Sequence, residues 1–201
     1  MGPVWAIVVA AGTGSRFGGQ KQFELIAGLR VLDWSVAAAG AVCDGVVVVL
    51  PPDRLEPGAV AGAETRSGSV RAGLAAVPDE AEIILVHDAA RPVATKDLFD
   101  RVIEAVRDGA DAVVPVVPVT DTIRRRGHGT VDRSDLAIVQ TPQGFLALAL
   151  RRAHAGEPEG SDDAGLVEAA GGKVVEIEGD PRNLKITHPD DLLVAAVLLA
   201  R

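Results

Sequence analysis

The chain has 201 residues, of which 48% are hydrophobic, and its formal charge of −8 is strongly acidic. This length and apolar content suit one folded domain and exclude a disordered chain. The acidic balance excludes a general binder of nucleic acid, because such proteins present a basic surface to the phosphate backbone. Only 3% of the residues are aromatic, which also speaks against a stacking platform for single strands.

Cysteine content and apolar runs bear on the location of the protein. Cys43 is the only cysteine, so neither an intramolecular disulfide nor a thiol pair for zinc is possible. The apolar run at residues 4–11 and the C-terminal run LLVAAVLLA are too short to cross a membrane, and no basic leader precedes the first run. We therefore expect a cytoplasmic protein with no membrane partner.

Strand and helix patterns alternate along the chain. Uninterrupted β-branched runs predict strands buried on both faces, at residues 4–10, 45–50, 82–86, 111–119 and 173–177. Helical patterns occupy residues 31–42, 69–77, 95–109, 142–156 and 162–172. Thr95 is a plausible N-cap of the third helix and Gly109 its stop. This alternation predicts a single α/β domain over residues 1–201, a mostly parallel open sheet with helices on both faces.

One stretch, residues 118–140, departs from this alternation, and we call it the arm. Its sequence predicts two short strands around a polar Gly-His-Gly tip, which is typical of a hairpin inserted into a βαβ unit. Such an insertion serves as a dimer arm or a lid in some proteins and is a plain surface hairpin in others. Spacing alone leaves these alternatives open.

The first predicted strand is followed by a glycine-rich turn, residues 10–20, which we call the phosphate loop. It lacks the third glycine of a dinucleotide fingerprint, where Phe17 stands, and it lacks the lysine spacing of a Walker loop. The glycines alone favour a simple turn. Arg16 and Lys21 change this interpretation, because backbone N–H groups, an arginine fork and a mobile lysine together form an anion site. Lys185, one of four lysines, lies just before the last helix.

A second candidate position is the end of the strand in ILVHDAARP, where Asp88 is followed by two small alanines. A carboxylate at this edge suits a Mg²⁺ ligand, since magnesium takes one or two carboxylates plus substrate phosphates. The alternative is that Asp88 only forms a turn or caps a helix. His87 is assigned a structural role, because no second histidine or cysteine stands at ligand spacing.

Six motifs occur in an order that spans essentially the whole chain: AAGTGSRFGGQKQF, VHDAARP, TDTIRR, VDR, QTPQGF and NLKIT. Together they resemble the 2-C-methyl-D-erythritol 4-phosphate cytidylyltransferases, the CTP-dependent enzymes of the non-mevalonate isoprenoid pathway. The resemblance implies a nucleotidyltransferase fold, with CTP and methylerythritol 4-phosphate as substrates. It also implies Mg²⁺ or another divalent cation as cofactor, and a homodimer formed through the arm.

The resemblance assigns roles residue by residue. Arg16 and Lys21 match the residues that hold the CTP phosphates and stabilise the transition state, and Lys185 matches a second-substrate and catalytic lysine. Asp88 matches the metal ligand and faces the methylerythritol phosphate. The residues that match the nucleotide cradle are Ala10, Ala11, Gly12, Gly14, Gly62 and Ser69, with the GAETR run from Gly62 along the cytidine pocket. Thr122 and Arg133, on the arm, match residues that enter the partner's active site. Arg91, Asp121 and Thr141 match family positions, but the resemblance assigns them no firm role.

The chain departs from the family pattern at three places. The phosphate loop is shorter than usual and Gln20 precedes Lys21; Ala63 replaces a glycine near the cytidine pocket; and Arg124 replaces a lysine. Two alternatives to the implied activity stay open. One is a cytidylyltransferase for ribitol 5-phosphate, and the other is a catalytically weak CTP-binding protein.

Overall fold

The structure is a computed structural model that describes residues 2–200. Its strands are β1 (Val4–Val9), β2 (Leu25–Ile26), β3 (Leu29–Arg30), β4 (Gly45–Leu50), β5 (Val60–Ala61), β6 (Ile83–Asp88), β7 (Ala112–Pro118), β8 (Ile123–Arg125), β9 (Gly129–Val131), β10 (Ala137–Val139), β11 (Gln143–Leu146) and β12 (Val174–Glu178). Its helices are α1 (Val31–Gly40), α2 (Arg66–Ala76), α3 (Lys96–Arg107), α4 (Ala147–His154), α5 (Asp163–Ala169) and α6 (Asp191–Leu199), with 3₁₀ turns at Lys21–Phe23 and Pro52–Arg54. Among residues 2–200, no helix is long and apolar enough to cross a membrane.

Eight strands form the central sheet in the order β10-β7-β11-β6-β1-β4-β5, with β12 also paired to β7. The pairings of β1 with β4 and β6, of β4 with β5 and of β7 with β12 are parallel. β11 runs antiparallel to β6 and β7, and β10 antiparallel to β7. The predicted single α/β domain with a mostly parallel sheet is therefore confirmed. The antiparallel pairs of the central sheet all involve β10 or β11, the two strands that follow the hairpin of the arm.

Both faces of the central strands are covered, which explains their uninterrupted apolar sequences. In β1, Ile7 packs into a cluster with α2, α4 and α5, whereas Ala6 and Val8 pack into a second cluster with α1 and α3. A strand with solvent on one face would alternate polar and apolar residues. A third cluster joins α6 to the segment around β2 and to Ile186.

The segment 142–156 was predicted as one helix, and this prediction is wrong for its first part. Gln143–Leu146 form the strand β11, and only Ala147–His154 form the helix α4. β11 fills the gap between β6 and β7 and pairs with both, which satisfies backbone groups on both of its sides. Gly144 packs directly under Val102 and Val106 of α3, and a larger residue would not fit there. Tertiary pairing therefore overrides the helical pattern.

Helix boundaries near the predicted site follow from capping. α2 begins at Arg66, three residues earlier than predicted, because Thr65 caps it: its hydroxyl accepts the N–H of Gly68 at 3.0 Å. The predicted cap at Thr95 is confirmed, with its hydroxyl 3.3 Å from the N–H of Leu98. Gly109 follows α3 with a φ of +100°, a conformation that glycine adopts without strain.

The arm contains the predicted hairpin: β8 and β9 pair antiparallel around a tip that includes Gly127 and His128. Beyond the hairpin, β10 returns the chain to the sheet beside β7. None of residues 120–139 is buried. The arm therefore contributes almost nothing to the core of this chain.

Candidate active site

A cavity of about 650 Å³ opens at the edge of the sheet where β1, β5 and β6 end. Parallel strands present their carboxyl ends on one edge, and ligands of open α/β sheets bind there. The cavity is lined by ten residues that the sequence singled out: Ala10, Ala11, Gly12, Gly14, Arg16, Lys21, Gly62, Ser69, Asp88 and Lys185. Residues from four distant parts of the chain are thus brought to one place.

The phosphate loop is held from below by Gln22, a buried residue that the sequence analysis did not select. Its side-chain amide donates to the carbonyl of Ala10 at 2.7 Å and to that of Gly12 at 3.1 Å. Gly14 adopts a φ of +67° and packs against the backbone of Gly19, so only glycine fits there. The loop is therefore fixed with Gly12 and Gly14 lining the cavity, which leaves room for a ligand to approach the backbone.

Four cationic side chains line the cavity, and three of them are those that the sequence singled out: Arg16, Lys21 and Lys185. Burial lowers the pKa of the Lys21 ammonium, and the positive charges of Lys185 and Arg16 lower it further. Mutual repulsion of this kind requires the three groups to be close, and it falls when an anion binds between them. Although its loop is short, Lys21 lines the same cavity as Arg16. The other two lysines are exposed: Lys96 pairs with Asp100 at 2.6 Å, and Lys173 lies at the surface.

Asp88 is the carboxylate at the centre of this arrangement, at the end of β6. Its Oδ2 accepts from Lys185 Nζ at 2.6 Å, and its Oδ1 lies 3.8 Å from Nε of Arg66. Burial by itself would raise the pKa of Asp88, but Lys185 and Arg66 outweigh it and hold the pKa well below its usual range. Asp88 is therefore a carboxylate at neutral pH, able to interact with a cation or with substrate hydroxyls.

A buried hydrogen-bond chain supports Asp88 from beneath. Its N–H donates to Thr141 Oγ1 at 3.0 Å, and that hydroxyl lies 3.1 Å from Nδ1 of His87. The other ring nitrogen of His87 lies 3.3 Å from the carbonyl of Arg91. Burial lowers the pKa of His87 to about 4, so the ring is neutral at pH 7 and accepts at Nδ1 while it donates at Nε2. The predicted structural role of His87 fits this position.

Arg91 positions the segment that carries Lys185. Its buried guanidinium donates to the carbonyl of Asn183 at 2.6 Å and to that of Val139 at 3.2 Å. Ile186 N–H in turn donates to the carbonyl of Ala90 at 2.8 Å. These bonds join the segment before α6 to the end of β6, which explains how Lys185 meets a carboxylate 97 residues earlier in sequence.

The segment after β5 forms the opposite wall of the cavity. Ser69 Oγ accepts the N–H of Ala63 at 3.1 Å and donates to the carbonyl of Thr65 at 2.9 Å. Gly62 packs against Ala11 and Ser69 so closely that a side chain would collide with both. Ser69 therefore shapes the wall through its neighbours' backbone.

Arg66 is the main contributor whose position the sequence did not reveal. The sequence placed it in a run expected along the nucleotide base, whereas its guanidinium lies between Asp88 and the buried Asp163 of α5, 2.7 Å from the latter. Asp88 and Asp163 together raise the pKa of Arg66 although burial opposes this. The only available signal was the Thr-Arg pair at a helix start, which does not indicate a partner about 100 residues away.

Thr122 and Arg133 do not line the cavity of their own chain. Both are exposed on the arm, as is Asp121, and the Arg133 guanidinium donates to the carbonyl of Thr120. Within residues 2–200, no cluster of three or more histidine, cysteine or carboxylate side chains is placed to hold a metal by itself. The carboxylates that line the cavity are Asp53, Glu64 and Asp88.

Comparisons with known proteins agree with this geometry. The family model described as 2-C-methyl-D-erythritol 4-phosphate cytidylyltransferase matches residues 4–201. The chain is 47% identical to the enzyme of that name from Rhodococcus jostii, over 98% of this chain and 96% of the relative. It is 43% identical to the one from Nocardia farcinica, over 100% of this chain and 95% of that relative. The solved structure of the Thermus thermophilus enzyme of the same name matches with a TM-score of 0.84 and 39% identity, and the match covers 100% of both chains.

Proposed function

The chain belongs to the 2-C-methyl-D-erythritol 4-phosphate cytidylyltransferase family, and we propose the reaction that its cavity carries out. The enzyme transfers CMP from CTP to 2-C-methyl-D-erythritol 4-phosphate and releases pyrophosphate. The product, 4-diphosphocytidyl-2-C-methyl-D-erythritol, is an intermediate in isoprenoid precursor biosynthesis. The observation that carries this proposal is the meeting of Arg16, Lys21, Lys185 and Asp88 in one cavity beside a glycine-rich loop.

The reaction is an in-line displacement at phosphorus. An oxygen of the phosphomonoester forms a bond to the α-phosphorus of CTP while the bond from that phosphorus to the bridging oxygen breaks. The electron pair of the broken bond leaves with pyrophosphate. Both reactants are anions, so the protein has to position them and neutralise charge, and it needs little acid–base chemistry.

The residues of the cavity divide this work. The backbone of the phosphate loop surrounds the triphosphate, and Arg16 and Lys21 neutralise the charge that develops on the phosphoryl oxygens and on pyrophosphate. Lys185 approaches from the opposite side and draws in the phosphate of the second substrate. Gly62 and Ser69 hold the wall against which the cytidine lies.

Magnesium or another divalent cation is the proposed cofactor, with Asp88 as its protein ligand. The chemistry of Asp88 fits a hard cation: it is an ionised carboxylate at the edge of a cavity built for phosphates. When bound, such an ion neutralises the phosphate oxygens and fixes their orientation. Asp88 would hold the ion through its carboxylate oxygens, of which Oδ2 accepts from Lys185 Nζ at 2.6 Å in the structure.

The arm supports the proposal of a homodimer. Thr122 and Arg133 flank its hairpin, do not line the cavity of their own chain, and are both exposed. We infer that in a dimer these two residues complete the second-substrate site of the partner. The exposed apolar side chains of Ile123, Leu136 and Ile138 on the same arm suit burial in such an interface.

We propose a cytoplasmic location, since the substrate CTP is an intracellular nucleotide. The single cysteine, Cys43, agrees with a reducing compartment. Neither a nucleic acid nor a membrane is a proposed partner, which agrees with the net charge of −8.

Pyrophosphate release from CTP and Mg²⁺ tests the activity, with methylerythritol 4-phosphate and ribitol 5-phosphate in parallel reactions. We expect fast release with methylerythritol 4-phosphate alone. A preference for ribitol 5-phosphate would support the proposed reaction of CTP but contradict methylerythritol 4-phosphate as the second substrate. CTP binding without release from either acceptor would favour the alternative of a catalytically weak nucleotide-binding protein.

A further inference from the structure

A buried charged group outside the proposed mechanism lies behind the cavity. Asp163, the first residue of α5, is fully buried, and both of its carboxylate oxygens have partners. Oδ2 accepts from Arg66 Nη1 at 2.7 Å, and Oδ1 lies 3.0 Å from Nε2 of His154. An isolated carboxylate at such a position would be strongly unfavourable, so its partners are fixed with it.

The start of α5 is anchored so that Asp163 has little freedom to move. The neighbouring Asp162 caps the helix, accepting the N–H of Gly165 at 3.1 Å, and also accepts from Gln143 Nε2 at 3.1 Å. Gln143 Oε1 in turn accepts the N–H of Ala164 at 3.3 Å. Asp163 therefore belongs to the rigid part of the molecule that joins α5 to β11.

Arg66 connects the fixed Asp163 to Asp88 in the cavity. Its Nη1 is held by Asp163 while its Nε lies 3.8 Å from Asp88 Oδ1, on the carboxylate oxygen that Lys185 does not occupy. A lysine presents all its donors from a single nitrogen, whereas the rigid, planar guanidinium of Arg66 reaches the two carboxylates from two different nitrogens, Nη1 and Nε. An ion pair that served only to stabilise the fold would not need to place its cation on the wall of the cavity, where Arg66 lies.

We propose that Asp163 is a positioning residue that holds Arg66 against Asp88, so that Lys185 can leave Asp88 for a substrate phosphate. In the structure Asp88 has two cationic neighbours, and only Lys185 is on a side chain free to move, since Arg66 is fixed by Asp163. When Lys185 turns to a phosphate, Arg66 still holds the carboxylate in its orientation through Oδ1. The proposal rests on the proposed function and adds a residue that touches neither substrate.

The test compares Arg66→Gln, Asp163→Asn and the double variant in the pyrophosphate-release assay, with folding checked by circular dichroism. Each single variant is expected to lower kcat about 10-fold, the lower end of the effect seen when a supporting partner of a reacting group is removed. Because both act through one guanidinium, the double variant is expected to be no slower than the slower single variant. The proposal would be overturned if the losses of kcat in the two single variants multiplied in the double variant, or if Asp163→Asn kept wild-type kcat.

Arg66→Lys separates positioning from simple charge. If Asp163 only needed a buried counter-ion, lysine would restore kcat; the proposal expects kcat to stay low, because a single ammonium nitrogen does not reproduce the rigid geometry in which Nη1 and Nε of Arg66 each reach one carboxylate. Asp33→Asn is the matched control, since it removes the ion pair to Arg30 (2.8 Å) at the start of α1, away from the cavity. It is expected to keep wild-type kcat, and a comparable loss there would assign the effect to general destabilisation and overturn the proposal.

CTP affinity, measured by calorimetry with Mg²⁺ and without a second substrate, keeps this test independent of the reaction. If the wild-type protein binds CTP but does not react with methylerythritol 4-phosphate, the proposed function is contradicted. The role of Asp163 is then tested by the CTP affinity of the variants. Without a second substrate, the only phosphates that Lys185 can reach are those of CTP, so we then expect Asp163→Asn and Arg66→Gln to weaken CTP binding to the same extent, with no further loss in the double variant. Wild-type affinity in Asp163→Asn would overturn the positioning role.

Discussion

The cavity and the arm differ in what holds their functional residues in place. In the cavity, Asp88 and Lys185 are tied to buried neighbours, and the phosphate loop is bonded to the buried Gln22. On the arm, Thr122 and Arg133 lie in a segment with no buried residue between positions 120 and 139. The cavity is thus organised within one chain, whereas the role of the arm rests on the proposed second copy of the chain.

The largest expected effect lies in the cavity, where Lys21→Ala or Arg16→Ala removes charge from the reacting phosphates. We expect kcat to fall about 100-fold or more, the scale seen when one donor to a developing oxyanion is lost. Single-turnover pyrophosphate release measures this step. Lys96→Ala, an exposed lysine paired with Asp100 outside the cavity, is the control and should keep wild-type turnover. Near-wild-type turnover in Lys21→Ala would contradict the catalytic assignment.

The buried His87 beneath the cavity is expected to make folding stability depend on pH. Burial lowers the pKa of His87 from 6.5 to about 4, so between these values the unfolded chain binds a proton that the folded protein does not. The free energy of unfolding is therefore fully retained above pH 6.5 and falls as the pH drops toward 4, by up to about 3 kcal/mol. Urea unfolding at a series of pH values measures this slope.

His87→Asn and His128→Asn compare the two regions directly. His87→Asn should flatten the pH dependence between pH 4 and 6.5, because the titrating ring is removed. His128→Asn, at the exposed tip of the arm, should leave the wild-type slope unchanged. An unchanged slope in His87→Asn would mean that another group is responsible for the acid sensitivity.

Arg133→Ala tests whether the arm completes the site of a second copy. We expect KM for the second substrate to rise about 10-fold, the scale of a lost hydrogen bond to a charged group, with CTP affinity unchanged. Mixing Arg133→Ala with Lys21→Ala should restore part of the activity at low substrate, because a mixed dimer contains one site with both residues intact. Absence of any recovery, or equal loss of CTP affinity, would break the shared-site proposal.

The smallest expected effects are changes in stability when the hydroxyl of a threonine is removed, in the cavity or on the arm. Thr141→Val removes the acceptor of the Asp88 N–H and the partner of His87, and it should lower the free energy of unfolding by about 1 kcal/mol or somewhat more. Thr130→Val, whose hydroxyl accepts from Arg124 at 3.3 Å on the exposed arm, should change stability by less than about 0.5 kcal/mol. Equal losses at both positions would show that the arm is held as firmly as the cavity.

The sequence singled out charged residues that line the cavity but not the buried residues that support them. Arg16, Lys21, Asp88 and Lys185 could be selected because charged residues next to glycines or at a strand end have few structural roles, and all four line the cavity. Gln22 and Asp163 could not be selected, because a buried polar residue is indistinguishable from a surface one until its partners are known. β11 was missed for a related reason: the pattern of residues 143–146 is compatible with a helix, and only pairing with β6 and β7 makes it a strand.

By itself the sequence determined the elements whose signals are local: the apolar runs of β1, β4 and β6, the glycine-rich phosphate loop, the caps at Thr95 and Gly109, and the hairpin of the arm. These depend on backbone preference and side-chain period within a few residues. The tertiary structure alone decided that Lys185 reaches Asp88, that Arg66 lies between Asp88 and Asp163, and that residues 143–146 join the sheet. Each of these depends on a partner distant in sequence, whose position is set only when the core has packed.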